Sequence, residues 1–503
     1  MDGKTRVGLG VLGAALALGL LGDWLLRATP WGVNLFLWVM ALVGAAAVVA
    51  RRGSLRVAGE GRWLVLVAML FAACVAWRAS AALAFLNLLA FLVAASLALL
   101  RTRAGRLRIA GVSEYLLGGI YAGALSSAGP LPVAAREVEW RQVARGRWRA
   151  PALAVTRGVL LAAPLLLLFG ALFAAADAVF QKLLSDLFGF DVAEVFGHLS
   201  LTLALAWISA GALWVSLLAQ GRASLAVRRP DFVSLGIVEV STVLGLLDLL
   251  FLAFVAVQVR YLFGGAERVV STAGLTYAEY ARRGFFELVT VTAIALPALL
   301  LAHWLLRAPD RRSERTFRFL AGTLVALLFV VMASALQRMY LYVDEYGLTQ
   351  LRFYVAAFMV WLAVVLAWFV LTVLRGRRDR FAFGALVAAF AAVLAINAVN
   401  PDAIVARTNL DRMQDGERFD AHYLTRLSAD AVPVIVEALP SMKEADRRTI
   451  VDSIEPPSRW SRDDADWRTW NLGRSRARHV LEGYTATDPP QADGRPARKV
   501  NLV

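Results

Sequence analysis

Apolar residues occur in long unbroken runs along roughly the first 400 positions of the chain, with charged residues gathered between the runs. Stretches such as Leu64 to Trp77, Ala81 to Leu100 and Leu201 to Ala219 contain no charge. A helix needs about 20 mostly apolar residues to cross the hydrocarbon core of a bilayer. Since only helices and closed barrels satisfy their backbone polar groups there, the pattern predicts an all-α, polytopic transmembrane helix bundle followed by a small helical soluble tail.

Eleven segments fit a membrane span. They are 7–26, 33–50, 63–77, 81–100, 158–176, 199–219, 234–258, 286–306, 319–341, 352–374 and 381–399. The third is short enough to be a tilted or half-buried hairpin partner rather than a full crossing. These spans divide the chain into N-terminal helices (1–100), a basic segment (101–157), a helical core (158–400), a helical tail (401–484) and a disordered end (485–503).

The connections between the predicted spans alternate in charge. The even-numbered ones are rich in arginine, whereas the odd-numbered ones are acidic or poor in basic residues, as in the stretch 177–198, where four carboxylates accompany one lysine. Arginine and lysine concentrate in the cytoplasmic loops of membrane proteins. We therefore expect a multi-pass protein of the bacterial plasma membrane with a cytoplasmic N-terminus and an extracytoplasmic tail.

Composition supports the membrane class and argues against a nucleic-acid partner. Hydrophobic residues make up 59% of the 503 positions, and the mean hydropathy is +0.61. The net charge of +15 does not mark a phosphate-binding domain, because the tail from Pro401 onward carries 16 basic and 17 acidic residues. One cysteine, Cys74, and four isolated histidines offer no disulfide or metal-ligand spacing, so no cofactor is expected. The expected partner is the lipid bilayer, with another envelope protein or envelope component as a candidate.

The sequence predicts helices in two regions outside the spans. The piece from Tyr115 to Ala128, followed by several arginines with Trp140 and Trp148 among them, is typical of a helix lying on an anionic leaflet. In the tail, Ser428 to Asp430 resembles a helix start. Farther on, five residues recur near helical spacing on one predicted face, namely Trp467, Trp470, Ala477, Leu481 and Tyr484.

Ionisable residues within spans are the first candidates for function, since they are expensive in a bilayer and usually face the bundle interior. Glu239 and Asp248 both fall in the seventh predicted span. Nine residues of helix place them on opposite faces, about 13 Å apart along the axis, so a single site holding both is not expected. Candidate partners are the arginines Arg260, Arg338 and Arg352. Buried ion pairs that fix helix packing and a proton or ion path are both open readings.

Charged motifs next to the spans supply the other candidates. Thr276 and Glu279 form a predicted capping box, and Glu279, Arg283 and Glu287 follow at four-residue intervals along one helix face beside Arg282. A second polar insert, 340–352, carries Asp344 and Glu345. The complete set of candidate functional polar residues is Glu239, Asp248, Arg260, Glu279, Arg282, Arg283, Glu287, Arg338, Asp344 and Glu345.

Several of these segments also carry a family resemblance. Residues 258–265, 275–288, 400–410 (Asn-Pro-Asp-Ala-Ile-Val-Ala-Arg-Thr-Asn-Leu) and 423–433 resemble, in this order, a bacterial membrane family catalogued as domain of unknown function 4173 (DUF4173). The resemblance covers roughly residues 150–480. It implies a polytopic bacterial membrane protein and no established activity, ligand or catalytic residue.

Three functions remain open on these grounds. The first is a non-enzymatic sensory or scaffolding protein whose outer tail binds a partner, which predicts tolerance of Glu239→Gln and Asp248→Asn. The second is an ion-coupled transporter that uses these intramembrane carboxylates. The third is a membrane enzyme acting on a lipid-linked substrate at the outer face, with the charged residues of 279–283 and 344–345 as acid, base or phosphate ligands.

Overall fold

The computed structural model describes most of the chain, and its described residues are helical with one isolated β-bridge between Leu235 and Leu306. The described ranges are 2–54, 62–101, 112–140, 162, 169–170, 173, 176–177, 192–219, 234–262, 285–306, 310–417, 419–454 and 466–487. The all-α class expected from the sequence is confirmed.

Eleven helices of the described residues precede the tail. They are α1 (Gly3–Leu26), α2 (Val33–Arg52), α3 (Arg62–Trp77), α4 (Ala81–Arg101), α5 (Val112–Ser127), α6 (Val192–Leu217), α7 (Ile237–Leu262), α8 (Phe285–Leu305), α9 (Arg311–Tyr346), α10 (Gln350–Thr372) and α11 (Phe381–Val399). Within the described ranges, nine of them are long and apolar enough to cross a membrane. The protein is therefore a multi-pass membrane protein with a helical bundle.

Ten of the eleven predicted spans coincide with one of these helices. The predicted third span is α3, an apolar helix of 16 residues that is shorter than a membrane crossing. Most of the predicted fifth span, 158–176, lies outside the described residues. The ninth is much longer than predicted, because α9 runs for 36 residues and includes the polar stretch up to Tyr346 that the sequence placed in a surface insert.

The connections between helices gather at two ends of the bundle. At one end, Trp63 at the start of α3 packs against Phe383 at the start of α11, with ring centroids 5.8 Å apart. Both residues follow arginine-rich connections. The opposite end holds the α1–α2, α3–α4 and α9–α10 connections, and the tail contacts all three. For these five connections of the described residues, the charge pattern of the sequence therefore corresponds to the two ends of the fold.

The bundle core has two parts. Residues of α7 to α11 form the larger hydrophobic cluster, whereas smaller clusters lie among α1 to α6. We call these the C-terminal and N-terminal helix groups. They meet where Phe390 of α11 packs on Phe71 of α3, with ring centroids 5.4 Å apart.

The predicted surface helix packs against other helices. Trp207 of α6 donates its indole N–H to the backbone carbonyl of Ser127 at the end of α5, at 2.8 Å. Gly211 of α6 meets the backbone of Ser126, so close that a Cβ on Gly211 would overlap it. The arginines 141–149 of the same predicted surface segment lie outside the described residues.

The tail is a small helical unit with its own core. It comprises α12 (Pro401–Gln414), α13 (Ala421–Leu424), α14 (Val432–Ala438), α15 (Glu444–Ile454) and α16 (Leu472–Thr487), joined by one-turn 3₁₀ helices. Ser428 caps the turn Ala429–Ala431 that leads into α14, as expected. Trp467 and Trp470 precede α16 and are exposed, whereas Ala477 is buried within it. The prediction that the two tryptophans share one helix face with Ala477 is therefore wrong.

Candidate functional site at the bundle–tail junction

The tail supplies polar side chains to the ends of bundle helices, and we call this contact region the junction. Its centre is Asp430, whose side chain is almost completely buried. Carboxylate oxygen Oδ2 accepts hydrogen bonds from the backbone N–H groups of Ala79 and Ser80 at 2.7 and 3.1 Å. Because Ala81 begins α4, Asp430 caps the N-terminus of that helix, where a negative charge is favourable.

Arg78 performs the corresponding role at the end of α11. Its guanidinium donates from Nε to the backbone carbonyl of Asn397 at 2.7 Å and from Nη2 to that of Ala398 at 3.2 Å. Nη1 lies 4.0 Å from Oδ1 of Asp430. A guanidinium offers five donors in a fixed fork, so one side chain can bind the helix end and face a carboxylate together.

A buried amide pair continues this network into the bundle. Asn87 of α4 and Asn397 of α11 donate to each other at 3.0 and 2.8 Å, and neither side chain reaches the surface. The pair links the N-terminal and C-terminal helix groups. Asn400 follows with φ of 59°, a left-handed conformation that asparagine tolerates better than most residues. It thus ends α11 and begins the tail.

The segment before α16 binds the first two connections of the bundle. Asn471 donates its amide to the backbone carbonyls of Val75 and Arg78 at 2.8 and 2.9 Å, which satisfies the C-terminal end of α3. Val33, at the start of α2, donates its backbone N–H to the carbonyl of Trp470 at 2.9 Å. Gly32 approaches this carbonyl so closely that a Cβ would lie 2.2 Å away.

Helix α12 binds the connection between α9 and α10. Asn409 accepts from the backbone N–H of Leu348 at 3.1 Å and donates to its carbonyl at 2.8 Å, as a neighbouring strand would. Arg412 donates to the last carbonyls of α9, including those of Val343 and Glu345, both at 3.1 Å. The buried carboxylate of Asp402 accepts from the Gln350 side chain at 2.7 Å.

Burial shifts the ionisation of the central pair. It raises the pKa of Asp430 above its ordinary value, although the hydrogen bond from Ala79 and the charge of Arg78 oppose the shift. Burial likewise lowers the pKa of Arg78, against the opposing charge of Asp430. Taking two charges out of water is expensive, so the pair persists because hydrogen bonds to helix ends compensate it.

A cavity of about 210 Å³ opens beside this pair. Its wall includes Arg78, Asp430 and Gly473, together with two exposed arginines, Arg407 of α12 and Arg476 of α16. Gly473 makes room for the carboxylate, since a Cβ there would lie 2.2 Å from Oδ1 of Asp430. The junction therefore holds a small polar chamber between bundle and tail.

The structure separates the two carboxylates predicted within a span. Asp248 is buried in α7, and within the described part of the chain neither of its carboxylate oxygens has a hydrogen-bond partner. Glu239 instead lies exposed in the first turn of α7, folded back toward Gly236. An acidic residue is favourable at a helix N-terminus, which accounts for Glu239 without a buried role. Glu287 is likewise exposed in the first turn of α8.

The remaining candidates do not converge on Asp248. Arg338 donates to Oε1 of Gln258 at 3.0 Å, and Ser334 donates to the same oxygen at 3.1 Å. Arg352 stacks over the ring of Tyr342, 3.8 Å from its centroid. Asp344 and Glu345 are exposed in the last turn of α9. Outside the described residues lie the side chain of Arg260 and the whole of Glu279, Arg282, Arg283 and the predicted capping box.

Sequence reasoning missed the residues of the junction. Asp402 and Asp430 lie in segments that carry the family resemblance, and Asp430 also belongs to a predicted helix start, but neither pattern predicts a contact with the bundle. An Asn-Pro-Asp directly after a span is one usable signal, because it combines a helix stop with the start of a new helix. Arg78 offered another, as the one charge between two apolar runs.

A family model described as Domain of unknown function (DUF4153) matches residues 65–438. The chain belongs to the DUF4153 family. The expected membership of DUF4173 is wrong, since the matching family is a different one and its match begins far upstream of residue 150. The DUF4153 match contains Arg78, Asp402 and Asp430 of the junction. No curated protein and no solved structure matches the chain.

Proposed function

We propose that this DUF4153 protein is a non-enzymatic sensory or scaffolding protein of the bacterial plasma membrane, in which the tail couples the two helix groups. One observation carries the proposal: polar side chains of the tail cap helix ends in both groups. Asp430 and Asn471 bind α4 and α3. Arg412 binds the end of α9, and Asn409 binds Leu348 in the α9–α10 connection. A displacement of the tail would therefore disturb both groups together.

The distribution of arginines supports a tail on the extracytoplasmic side of the membrane. Among the connections of the described residues, those of α1–α2, α3–α4 and α9–α10 lie on the tail side and are not the arginine-rich ones, which supports a tail outside the cytoplasm. There the tail is available to another envelope protein or envelope component. A signal received by it would reach the membrane helices through the junction.

Hydrogen exchange of the full chain in lipid nanodiscs tests the coupling. We expect Asp430→Ala to speed exchange at Ala79 and Ser80, whose N–H groups it binds, and also at Leu348 and Gln350, which bind other parts of the tail. Asp452→Ala, on the exposed face of α15, is the matched control. Faster exchange confined to Ala79 and Ser80 would show that the tail does not connect the two groups.

Asp248 favours a second candidate, an ion-coupled transporter. A buried carboxylate without a partner in a membrane helix often marks a proton or ion path. A transporter would lose membrane-potential-dependent flux in proteoliposomes when Asp248→Asn is introduced, whereas Glu239→Gln, at an exposed position, would serve as the control. Equal flux in both variants and the wild type would remove this candidate.

A further inference from the structure

We propose that the cavity at the junction binds a phosphate group, either of a soluble phosphate compound or of a lipid headgroup. The cavity measures about 210 Å³ and is lined by Arg78, Arg407 and Arg476. Among the described residues that line it, Asp430 carries the one acidic group. Three guanidinium groups against one carboxylate give the lining an excess of two positive charges.

The two outer arginines are available to a ligand. Arg407 and Arg476 are exposed, and within the described part of the chain neither side chain has a hydrogen-bond acceptor or an ion-pair partner. Arg78 is occupied by the carbonyls of Asn397 and Ala398, and Asp430 by the backbone of Ala79. The inner pair thus fixes the wall, while the outer arginines remain free to bind.

Guanidinium groups match phosphate in shape as well as in charge. Their parallel N–H groups bind two oxygens of a phosphate together, which a compact cation cannot do. The cavity is smaller than the roughly 300 Å³ at which pockets for drug-sized ligands begin, so it suits a single phosphate with a short substituent. The charge of Arg476 already acts on Arg78 and lowers its pKa, after the larger effect of burial and against Asp430. A bound anion would relieve this repulsion.

Two sources can supply such a group. The cavity lies at the end of the bundle where α3 and α11 end, next to their last residues Trp77 and Val399. Helix ends of membrane proteins lie at the headgroup level, where lipid phosphates are concentrated. Arg407 and Arg476 in the cavity wall are exposed, so a soluble phosphate compound can reach the cavity as well.

The inference rests on the proposed function for its biological meaning. Arg407 belongs to α12 and Arg476 to α16, whereas Arg78 belongs to the bundle. A phosphate held among them would join tail and bundle at the point where the coupling is proposed. Binding itself can be measured whether or not the tail couples the helix groups.

The test is calorimetric titration of the full chain with inorganic phosphate and with glycerol phosphate, in a neutral detergent at constant ionic strength. A second arm measures binding of phosphatidylglycerol to the purified chain by native mass spectrometry. The variants are Arg407→Gln, Arg476→Gln and the double substitution. Arg426→Gln is the matched control, since Arg426 is an exposed tail arginine outside the cavity.

We expect each substitution at Arg407 or Arg476 to raise the dissociation constant about tenfold, and Arg426→Gln to leave it unchanged. A loss seen with the soluble phosphates identifies a soluble ligand, and a loss seen with phosphatidylglycerol alone identifies a lipid headgroup. Equal binding by the double variant and the Arg426→Gln control in both arms would overturn the proposal. Hydrogen exchange at Leu348 and Gln350 would still report the coupling of the helix groups. A failure of phosphate binding can therefore be distinguished from a failure of the proposed coupling.

Discussion

Arg78 and Asp430 face each other across the junction with 4.0 Å between Nη1 and Oδ1, one after α3 and the other in the tail. Both side chains are at least nine-tenths buried. Each also binds the end of a helix that belongs to the bundle, Arg78 at α11 and Asp430 at α4. The pair therefore joins three separate parts of the chain, which makes it the most informative place to disturb the fold.

Removal of the Asp430 carboxylate should destabilise the docked tail. Asp430→Ala leaves the N–H groups of Ala79 and Ser80 without acceptors and leaves Arg78 buried without its anion. Breaking one partner of a buried pair costs about 3 kcal/mol. We expect earlier thermal unfolding and faster tryptic cleavage of the tail in nanodiscs.

Asp452→Ala provides the comparison for this variant, because Asp452 is an exposed carboxylate of the same tail. It should behave like the wild type in both assays. Equal protease resistance of the Asp430→Ala and Asp452→Ala proteins would mean that the buried pair does not hold the tail.

The amide pair within the bundle should show a measurable coupling energy. Asn87 and Asn397 exchange two hydrogen bonds, and each loses its partner when the other is replaced. Hydrogen bonds between membrane helices are worth about 0.6–2 kcal/mol. A double-mutant cycle of Asn87→Ala and Asn397→Ala, measured by denaturant unfolding, should give a coupling in this range. Additive effects would contradict the pairing, and Ser96→Ala in α4 serves as a control.

A methyl group at Gly32 should separate the first connection from the tail. An alanine Cβ there would lie 2.2 Å from the carbonyl oxygen of Trp470, which Val33 also binds. We expect Gly32→Ala to speed hydrogen exchange at Val33. Gly44, in the middle of α2, has open space around it, so Gly44→Ala should be neutral or stabilise the helix by up to about 1 kcal/mol. Slow exchange at Val33 in both variants would refute the close approach.

Docking of the tail should become less stable as the pH rises, because burial raises the pKa of Asp430. Since burial raises the pKa of Asp430, the folded protein keeps this proton at a pH where the unfolded chain has released it. The protonated carboxyl contributes its full stability when the pH is below the pKa of Asp430 in the unfolded chain. This contribution is lost as the pH rises through the pKa of Asp430 in the folded protein. The charged groups that act on it are Arg78 and Asp402, with Arg476 on the same cavity wall.

Comparison with Asp430→Asn isolates this effect, because the amide does not titrate. The stability of the wild type relative to this variant should fall as the pH rises above about 4, the ordinary pKa of an aspartate. Thermal unfolding at several pH values measures the difference. A difference that grows over this range would show that Arg78 and the backbone donors outweigh burial.

The candidate site was much harder to predict than the spans. Asp248 and Glu239 looked alike in the sequence, yet one is buried and the other lies exposed at a helix start. The difference depends on where α7 begins and which face meets α9, and neither follows from the local sequence. The residues of the junction were overlooked for a related reason: Asp430 finds its donors some 350 positions away.

The sequence by itself determined the class of the protein, the position of most helices and the division of their connections into two sets. Each of these depends on local properties, since a run of apolar residues must form its hydrogen bonds within its own helix wherever a bilayer surrounds it. Only the tertiary structure decided that the tail closes the ends of α3, α4, α9 and α10, and that Arg78 meets Asp430 beside a cavity rich in arginine. Helix ends leave backbone groups unsatisfied, and which distant side chain satisfies them is set by packing of the whole chain.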